Sequence, residues 1–448
     1  MTMAGLAPAL LVAAPRSGAG KTTVAMGLIA ALRRAGYKVQ VLKCGPDYID
    51  AAFLAAAAGA PCANVDTWAM APDQVAAILR RAASACDLLI VEAAMGLFDG
   101  AAGQDGRSGA AAEIAARFGI PVLLVVDVAG QAQSVGAVAR GFADFDPDVD
   151  VAGVILNDVA SNRHRRMAAE GLAATDVPLL GWVPRRTEFV LQSRHLGLVQ
   201  AREVAALEAT RTALARQLEE TINLDHIVET ARPPREDGGL VPATTTRSEG
   251  QIDPPGQRIA LASDDAFAFT YEHLATSWRE KGAEIIPFSP LDNAPPPDRC
   301  DICWLPGGYP ELYASQLAAA GQFMRGIRRF AETRPVHGEC GGYMVLGETL
   351  EAADGQRHRM AGLLGHSTSF ATRKLHMGYR RAVLLADCSL GRCGTVVRGH
   401  EFHYSTLSDP AGDEELLRLE DPDGNPLPGG GYRRGHVSGT YFHVLARE

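Results

Sequence analysis

Short apolar runs alternate with longer Ala-rich stretches through the first part of the chain. The runs at 9–13, 38–42, 88–91, 122–126 and 153–156 are rich in Val, Ile and Leu and show no period-2 polar alternation. Such runs predict strands of a parallel sheet covered on both faces. The intervals, for example 22–35 and 109–118, have helical composition, so the first half reads as a doubly wound α/β domain. Periodicity stops at 229–257, where Pro, Gly, Thr and charge dominate, which predicts a linker. Strand-like runs resume at 258–262, 285–287, 302–305 and 335–337, with a helix expected over 319–332. The expected organisation is therefore a domain over 1–228, a linker over 229–257 and a second α/β domain over 258–448.

Composition narrows the function. With 448 residues, 47% hydrophobic and 21% charged, the chain has ample core material for two domains. Its net charge of -9 argues against nucleic acid or an anionic membrane as partner. The apolar N-terminal stretch has no positive n-region and runs straight into a glycine-rich loop, so it predicts a first strand and a cytoplasmic protein. Eight scattered cysteines form no disulfide framework and suit a reducing compartment. Cys300 and Cys303 form a CxxC with no second pair at zinc spacing and read as part of a buried strand.

After the first strand comes Ala14-Pro15-Arg16-Ser17-Gly18-Ala19-Gly20-Lys21-Thr22-Thr23. Glycines let backbone N–H groups curl round phosphates at a helix N-terminus. Lys21 would reach the terminal phosphates and Thr22 would hold Mg²⁺. Pro15 stands where the usual motif has its first Gly. Asp47 and Glu92 follow apolar strands, at the sheet edge where ligands collect, and are candidates to complete the Mg²⁺ site with Thr22.

The second half carries Gly338-Glu339-Cys340-Gly341-Gly342 after an apolar strand. Glycines flanking a nucleophile permit the sharp strand-to-helix turn that presents it. The upstream loop Leu305-Pro306-Gly307-Gly308 can offer N–H groups as an oxyanion hole, at Gly308 together with Gly341. His443, near the C-terminus, is the candidate general base.

The second half thus resembles a class I glutamine amidotransferase domain of flavodoxin-like fold, and the first is similar to dethiobiotin synthetase and MinD-like P-loop proteins. Over essentially the whole chain, SGAGKTT, KCGPDYID, MGLFDG, DDAFAFTY, LPGGYPE, GECGGYM and HEFHYS together resemble the cobyrinic and hydrogenobyrinic acid a,c-diamide synthases of cobalamin biosynthesis. That resemblance implies ATP and Mg²⁺, with glutamine and a tetrapyrrole polycarboxylate as partners. It implies Cys340 as nucleophile with His443 as its base, and Ser17, Gly18, Ala19, Gly20, Lys21, Thr22 and Thr23 at ATP. It further implies Asn157 at the adenine, Lys43 beside the transferred phosphate, and Tyr48 and Asp99 facing substrate carboxylates.

Three points depart from or fall outside the pattern. Class I glutaminases place a Glu two residues after the histidine; here Leu445 stands there, so a Cys–His dyad is expected. Ala51 and Leu54 replace a Pro and a His common after PDYID. The DDAFAFTY and HEFHYS segments have no assigned chemistry, and His400 and His403 stand open between the domain interface and the core. Rival readings are an a,c-diamide synthase for another tetrapyrrole, such as nickel sirohydrochlorin, and a MinD/ParA-like ATPase switch. A homodimer stays open.

Overall fold

The computed structural model describes residues 5–101, 106–185, 193–194, 197–198, 207–235, 250–408 and 412–448. The chain forms two compact units, one from most of residues 1–248 and one from 249–448.

In the first unit the order is β1 (Ala9–Ala13), α1 (Lys21–Arg34), β2 (Val39–Cys44), α2 (Tyr48–Ala58), β3 (Cys62–Val65), α3 (Pro72–Ser84), β4 (Leu88–Glu92), α4 (Ala111–Phe118), β5 (Val122–Asp127), α5 (Val135–Phe145), β6 (Val151–Val159), α6 (Asn162–Leu172) and β7 (Leu179–Pro184). The strands make one sheet in the order β3-β2-β4-β1-β5-β6-β7, and each pairing is parallel. Every residue of β1 and β4 is buried, as strands covered on both faces should be. A two-residue hairpin, β8 (Ser193–Arg194) with β9 (Gly197–Leu198), precedes α7 (Leu207–Thr221) and α8 (Leu224–Thr230). Helix α7 lies along α1, where a side chain at Gly27 would meet Leu218 at 3.0 Å.

The expected linker begins later than composition suggested. Residue 229 is still in α8, Arg232 pairs with Ala9 of β1, and the Arg235 amide donates to Phe118 O. Residues 236–249, the centre of the expected linker, lie outside the described residues.

The second unit opens with β10 (Arg258–Ala262), α9 (Glu272–Glu280), β11 (Glu284–Phe288), β12 (Ile302–Leu305), α10 (Ala314–Ala319), α11 (Gly321–Ala331), β13 (Val336–Glu339) and α12 (Gly341–Leu346). The helix expected over 319–332 is thus two helices, broken where Ala320 leaves helical geometry at φ -74 and ψ 68. Then come β14 (Thr349–Glu351), β15 (Arg357–Arg359), β16 (Ser367–Ser369), β17 (His376–Leu384), β18 (Val396–His403), β19 (Thr406–Leu407), β20 (Glu414–Glu415), β21 (Leu417–Glu420), β22 (Pro426–Leu427), β23 (Tyr432–Arg434), β24 (Val437–Thr440) and β25 (Phe442–Arg447).

The main sheet runs β11-β10-β12-β13-β24-β23-β20, parallel from β11 to β24 and antiparallel beyond. A five-stranded antiparallel sheet, β22-β21-β17-β18-β25, and a small four-stranded one are additions that the alternating pattern did not foretell. Only Tyr441 separates β24 from β25, so the chain passes from one sheet to the other at a single corner.

Candidate functional sites

Each site grows from a strand end. In the first unit β1 stops at Ala13, and the loop turns into α1 through Gly18 and Gly20, both with positive φ (73° and 89°). Gly20 is required twice over. Its φ disfavours a side chain, and a Cβ there would lie 2.2 Å from Asn157 Nδ2. Ser17 and Gly18 are exposed, Ala19 is buried, and Thr22 and Thr23 are half-buried at the start of the helix. The Lys21 ammonium folds back to donate to Arg16 O at 3.3 Å, and burial lowers its pKa against the pull of Glu92.

Behind the loop lies a charge network. Thr22 Oγ1 donates to Glu92 Oε1 at 2.7 Å, while Lys43 Nζ meets Glu92 Oε2 at 3.2 Å and Asp50 Oδ2 at 2.7 Å. Adjacent parallel strands explain the meeting, because Lys43 and Glu92 are register partners across β2 and β4. Burial disfavours the Lys43 cation, but Asp50 and Glu92 more than reverse this and raise its pKa. Asp47 caps α2, its Oδ1 accepting from the amides of Ile49 (2.8 Å) and Asp50 (2.9 Å). Burial, then Asp50, pushes the Asp47 carboxyl up to about 7. Burial would also raise Asp50, yet Lys43 and hydrogen bonds with Lys43, Asp47 and Thr22 hold it below its ordinary value. Burial raises Glu92.

Sequence reasoning missed Asp50, which sits nearer this network's centre than its motif position suggests. Its signal was available: Asp50 is three residues after Asp47 on α2, one helical turn away.

The donor set fits a hard divalent cation. One buried carboxylate, Glu92, and two half-buried ones, Asp47 and Asp50, face two ammonium groups, and burial raises Glu92 and Asp47. Among the described residues no three acidic, His or Cys side chains surround one point. Mg²⁺ takes one or two carboxylates and fills its octahedron with water and phosphate oxygens.

The remaining candidates line the same rim. A Cβ on Gly96 would be 2.8 Å from Pro15 O, and the Leu97 amide donates to Ala14 O, so the MGLFDG loop packs directly on the phosphate loop. Asp99 is exposed there, its Oδ2 accepting from the Gly96 amide at 2.8 Å. Asn157, at the end of β6, donates to Ala19 O at 2.9 Å and so braces the loop. Tyr48 opens α2 and is buried.

In the second unit β13 ends at Glu339, and Cys340 turns the chain into α12 at φ 46 and ψ -104. This backbone is strained for a residue with a side chain, which is the mark of a nucleophile elbow. The neighbouring glycines allow it: a Cβ on Gly338 would lie 2.7 Å from Tyr343 N, and one on Gly342 would lie 2.0 Å from Leu305 O. The Gly307–Gly308 loop abuts the elbow, since a Cβ on Gly341 would be 2.9 Å from Gly308 N. The two oxyanion candidates are therefore neighbours. The DDAFAFTY segment, unassigned from sequence, supports this loop. The Phe269 amide donates to Gly307 O, and a Cβ on Gly308 would lie 1.9 Å from Ala266 O.

His443 reaches the same loop from the other side, its Cε1 lying 2.5 Å from where a Gly307 Cβ would be. Strand register brings it there. Glu339 pairs with Thr440 across β13 and β24, the Cys340 amide donates to Thr440 O at 2.7 Å, and His443 follows three residues later. Burial, with His400 opposite it on β18, pushes His443 down to about 3, so its ring is neutral. Burial, with Glu311 next in weight, raises the Cys340 thiol. The thiol is therefore protonated at rest and needs a base to take its proton.

The HEFHYS segment forms the end of β18 and the turn after it. Phe402 O lies 3.8 Å from Cys340 Sγ, His403 stacks on Tyr441 at 3.7 Å, and Ser405 Oγ donates to Tyr441 OH at 2.7 Å. His400 and His403, left open by sequence, are both pushed to about 3 by burial and so stay neutral. Among the described residues, no helix is long and apolar enough to cross a membrane.

Two family models match the chain. A family model described as the CobQ/CobB/MinD/ParA nucleotide binding domain matches residues 10–198. One described as the CobB/CobQ-like glutamine amidotransferase domain matches residues 258–448. A hydrogenobyrinate a,c-diamide synthase of Mesorhizobium japonicum is 52% identical over 441 residues, 98% of this chain and 99% of its own. Proteins of the same name from Agrobacterium fabrum, 51% identical over 441 residues, and Rhodobacter capsulatus, 50% over 439, each align with 98% of this chain. They cover 99% and 98% of their own lengths.

Proposed function

The chain belongs to the hydrogenobyrinate a,c-diamide synthase family, and we infer that it amidates the a and c carboxylates of hydrogenobyrinate in cobalamin biosynthesis, using ATP and glutamine. The observation that carries this reading is one chain holding both a phosphate loop backed by a buried Glu92 and half-buried Asp47 and Asp50, and a strained cysteine elbow.

The domain over 258–448 supplies ammonia. His443 takes the Cys340 proton as Sγ attacks the glutamine amide carbon, and the Gly308 and Gly341 amides receive the developing oxyanion. The imidazolium then returns the proton to the departing ammonia, and water releases glutamate from the thioester.

The domain over 1–228 activates the acceptor. A carboxylate is a poor electrophile, so its oxygen first takes the γ-phosphoryl group of ATP to form an acyl phosphate. Ammonia displaces phosphate from that intermediate, and a second round on the other carboxylate gives the diamide. The loop from Ser17 to Thr23 cradles the phosphates, and Lys21 and Lys43 neutralise charge on the group in transit. Tyr48 and Asp99 face the macrocycle's carboxylates, and Asn157 contacts the adenine. Thr22, Glu92 and Asp47 would hold Mg²⁺, which would neutralise and align the phosphate oxygens. The enzyme works in the cytoplasm.

The test is mass spectrometry after incubation with hydrogenobyrinic acid, ATP, Mg²⁺ and glutamine. The expected product is lighter than substrate by the difference of two carboxyl-to-carboxamide exchanges. Turnover of nickel sirohydrochlorin with hydrogenobyrinic acid untouched would replace the substrate and keep the chemistry.

A further inference from the structure

The place two residues after the histidine holds no acid, yet His443 is not without one. Glu339, the residue before the nucleophile, has Oε2 4.0 Å from His443 Nδ1. Its other oxygen accepts from the amide of Val444, next to the histidine, at 3.2 Å, and the Trp304 side chain adds a hydrogen bond. Both acid and imidazole are buried. The ring is also turned usefully. Its Cε1–Nε2 edge lies against the Gly307 loop, at 2.5 and 3.3 Å from a Gly307 Cβ position, which leaves Nδ1 on the side of Glu339.

We propose that Glu339 is the positioning residue of the glutaminase, its charge favouring the proton on His443 Nδ1 and so presenting the Nε2 lone pair to the proton of Cys340. The proposal rests on the glutaminase reading given above. It replaces the expected dyad with a three-residue relay whose acid comes from the nucleophile's own strand.

The step balances. Cys340 Sγ–H breaks, Nε2–H forms, and the sulfur electron pair forms the bond to the amide carbon. The new positive charge on the ring faces the Glu339 carboxyl across Nδ1–H. The two N–H donors on that carboxyl favour its ionised form, while burial pushes it up to about 8. An acid with that balance titrates inside the pH window of a glutamine-hydrolysis assay, and its ionised form is the one that stabilises the charged ring.

A purely structural role is the competing account, since Glu339 also ties β13 to the β24–β25 corner. Kinetics separate the two. Glu339→Gln keeps the size and an acceptor for the Val444 amide but cannot ionise. Glutamine hydrolysis by this variant and the unaltered enzyme is measured from pH 6 to 9.5, with thermal melting as the check on folding. The expected result is a kcat for glutamine lowered by about tenfold or more with KM unchanged, and loss of one ionisation from the kcat profile. Glu339→Asp should retain that ionisation with an intermediate kcat.

A Gln variant with kcat within twofold of the unaltered enzyme overturns the proposal. So does a lowered kcat with an unchanged pH profile, which is the structural outcome. Should the Gln variant not fold, the Asp variant decides, because an unaltered kcat there would mean the carboxyl's position is immaterial. Failure of the unaltered enzyme to hydrolyse glutamine at all would instead remove the glutaminase reading itself.

Discussion

Leu445→Glu puts a carboxyl where class I glutaminases carry theirs, and the structure says what this would do. Between Val444 and Ala446 the chain steps across a single position of β18, from Gly399 to Arg398, so Leu445 is the extra residue of a β-bulge. Its side chain is fully buried, and its carbonyl is bonded to His273 Nε2 at 3.0 Å. Replacing it removes apolar burial of about 1–2 kcal/mol, after allowing for the methylenes that Glu retains. Burying a neutral carboxyl without a partner adds about 1–3 kcal/mol, for a total near 4 kcal/mol. In a domain of this size that lowers Tm by roughly 8–16 °C. The acid would gain nothing for catalysis, because the Nδ1 side of His443 already faces Glu339. The assay is a thermal melt of the variant, then glutamine hydrolysis at a temperature where it is folded. A Tm within 2 °C of the unaltered enzyme would refute the burial argument. A tenfold gain in hydrolysis, about 1.4 kcal/mol of barrier, would refute the claim that His443 is already positioned.

Cys340→Ser should abolish glutamine-driven diamidation and leave the reaction driven by ammonium salts, since a hydroxyl lacks the thiolate's nucleophilicity; product mass with each nitrogen source checks it. Glu92→Ala should stop amidation from both nitrogen sources, because it removes the acceptor of Thr22 and a partner of Lys43; acyl-phosphate trapping and ADP release are the measurements. Lys21→Ala should do the same by removing the ammonium that opens α1 at the phosphate loop, with nucleotide affinity read by calorimetry.

The strands that sequence located best are β1, β10 and β12, whose bounds match expectation residue for residue. Apart from the exposed Arg258 that opens β10, each is a buried apolar run ended by a change of composition, so pattern and burial say the same thing. Strands β17 and β18 were not legible, because HMGYRRAVL and VVRGHEFH carry mixed polar residues; β17 is mostly half-buried, and the burial alternation of β18 is not matched by an apolar–polar alternation in its sequence. The site divides the same way. Loops with glycines at fixed spacing, such as 14–23 and 338–342, announce themselves locally. Asp50 and Glu339 did not, since an acid beside a motif has no period of its own. Glu339 meets His443 only through the register of β13 with β24.

That register also governs what the chain between those strands is free to do. A hundred residues separate Glu339 from its partner Thr440, yet their alignment depends on four paired positions in two short strands. Closing so long a loop costs only about 1.4 kcal/mol more than closing one of 20 residues. The intervening sheets can therefore gain, lose or exchange segments over evolutionary time at small thermodynamic expense, provided those four pairs and the pairing of β18 with β25 persist. The expense is kinetic instead, since contacts this distant in sequence form late. Until they form, the elbow holds a thiol with no base beside it. A half-folded molecule is thereby inert toward glutamine, and hydrolysis waits for the completed fold.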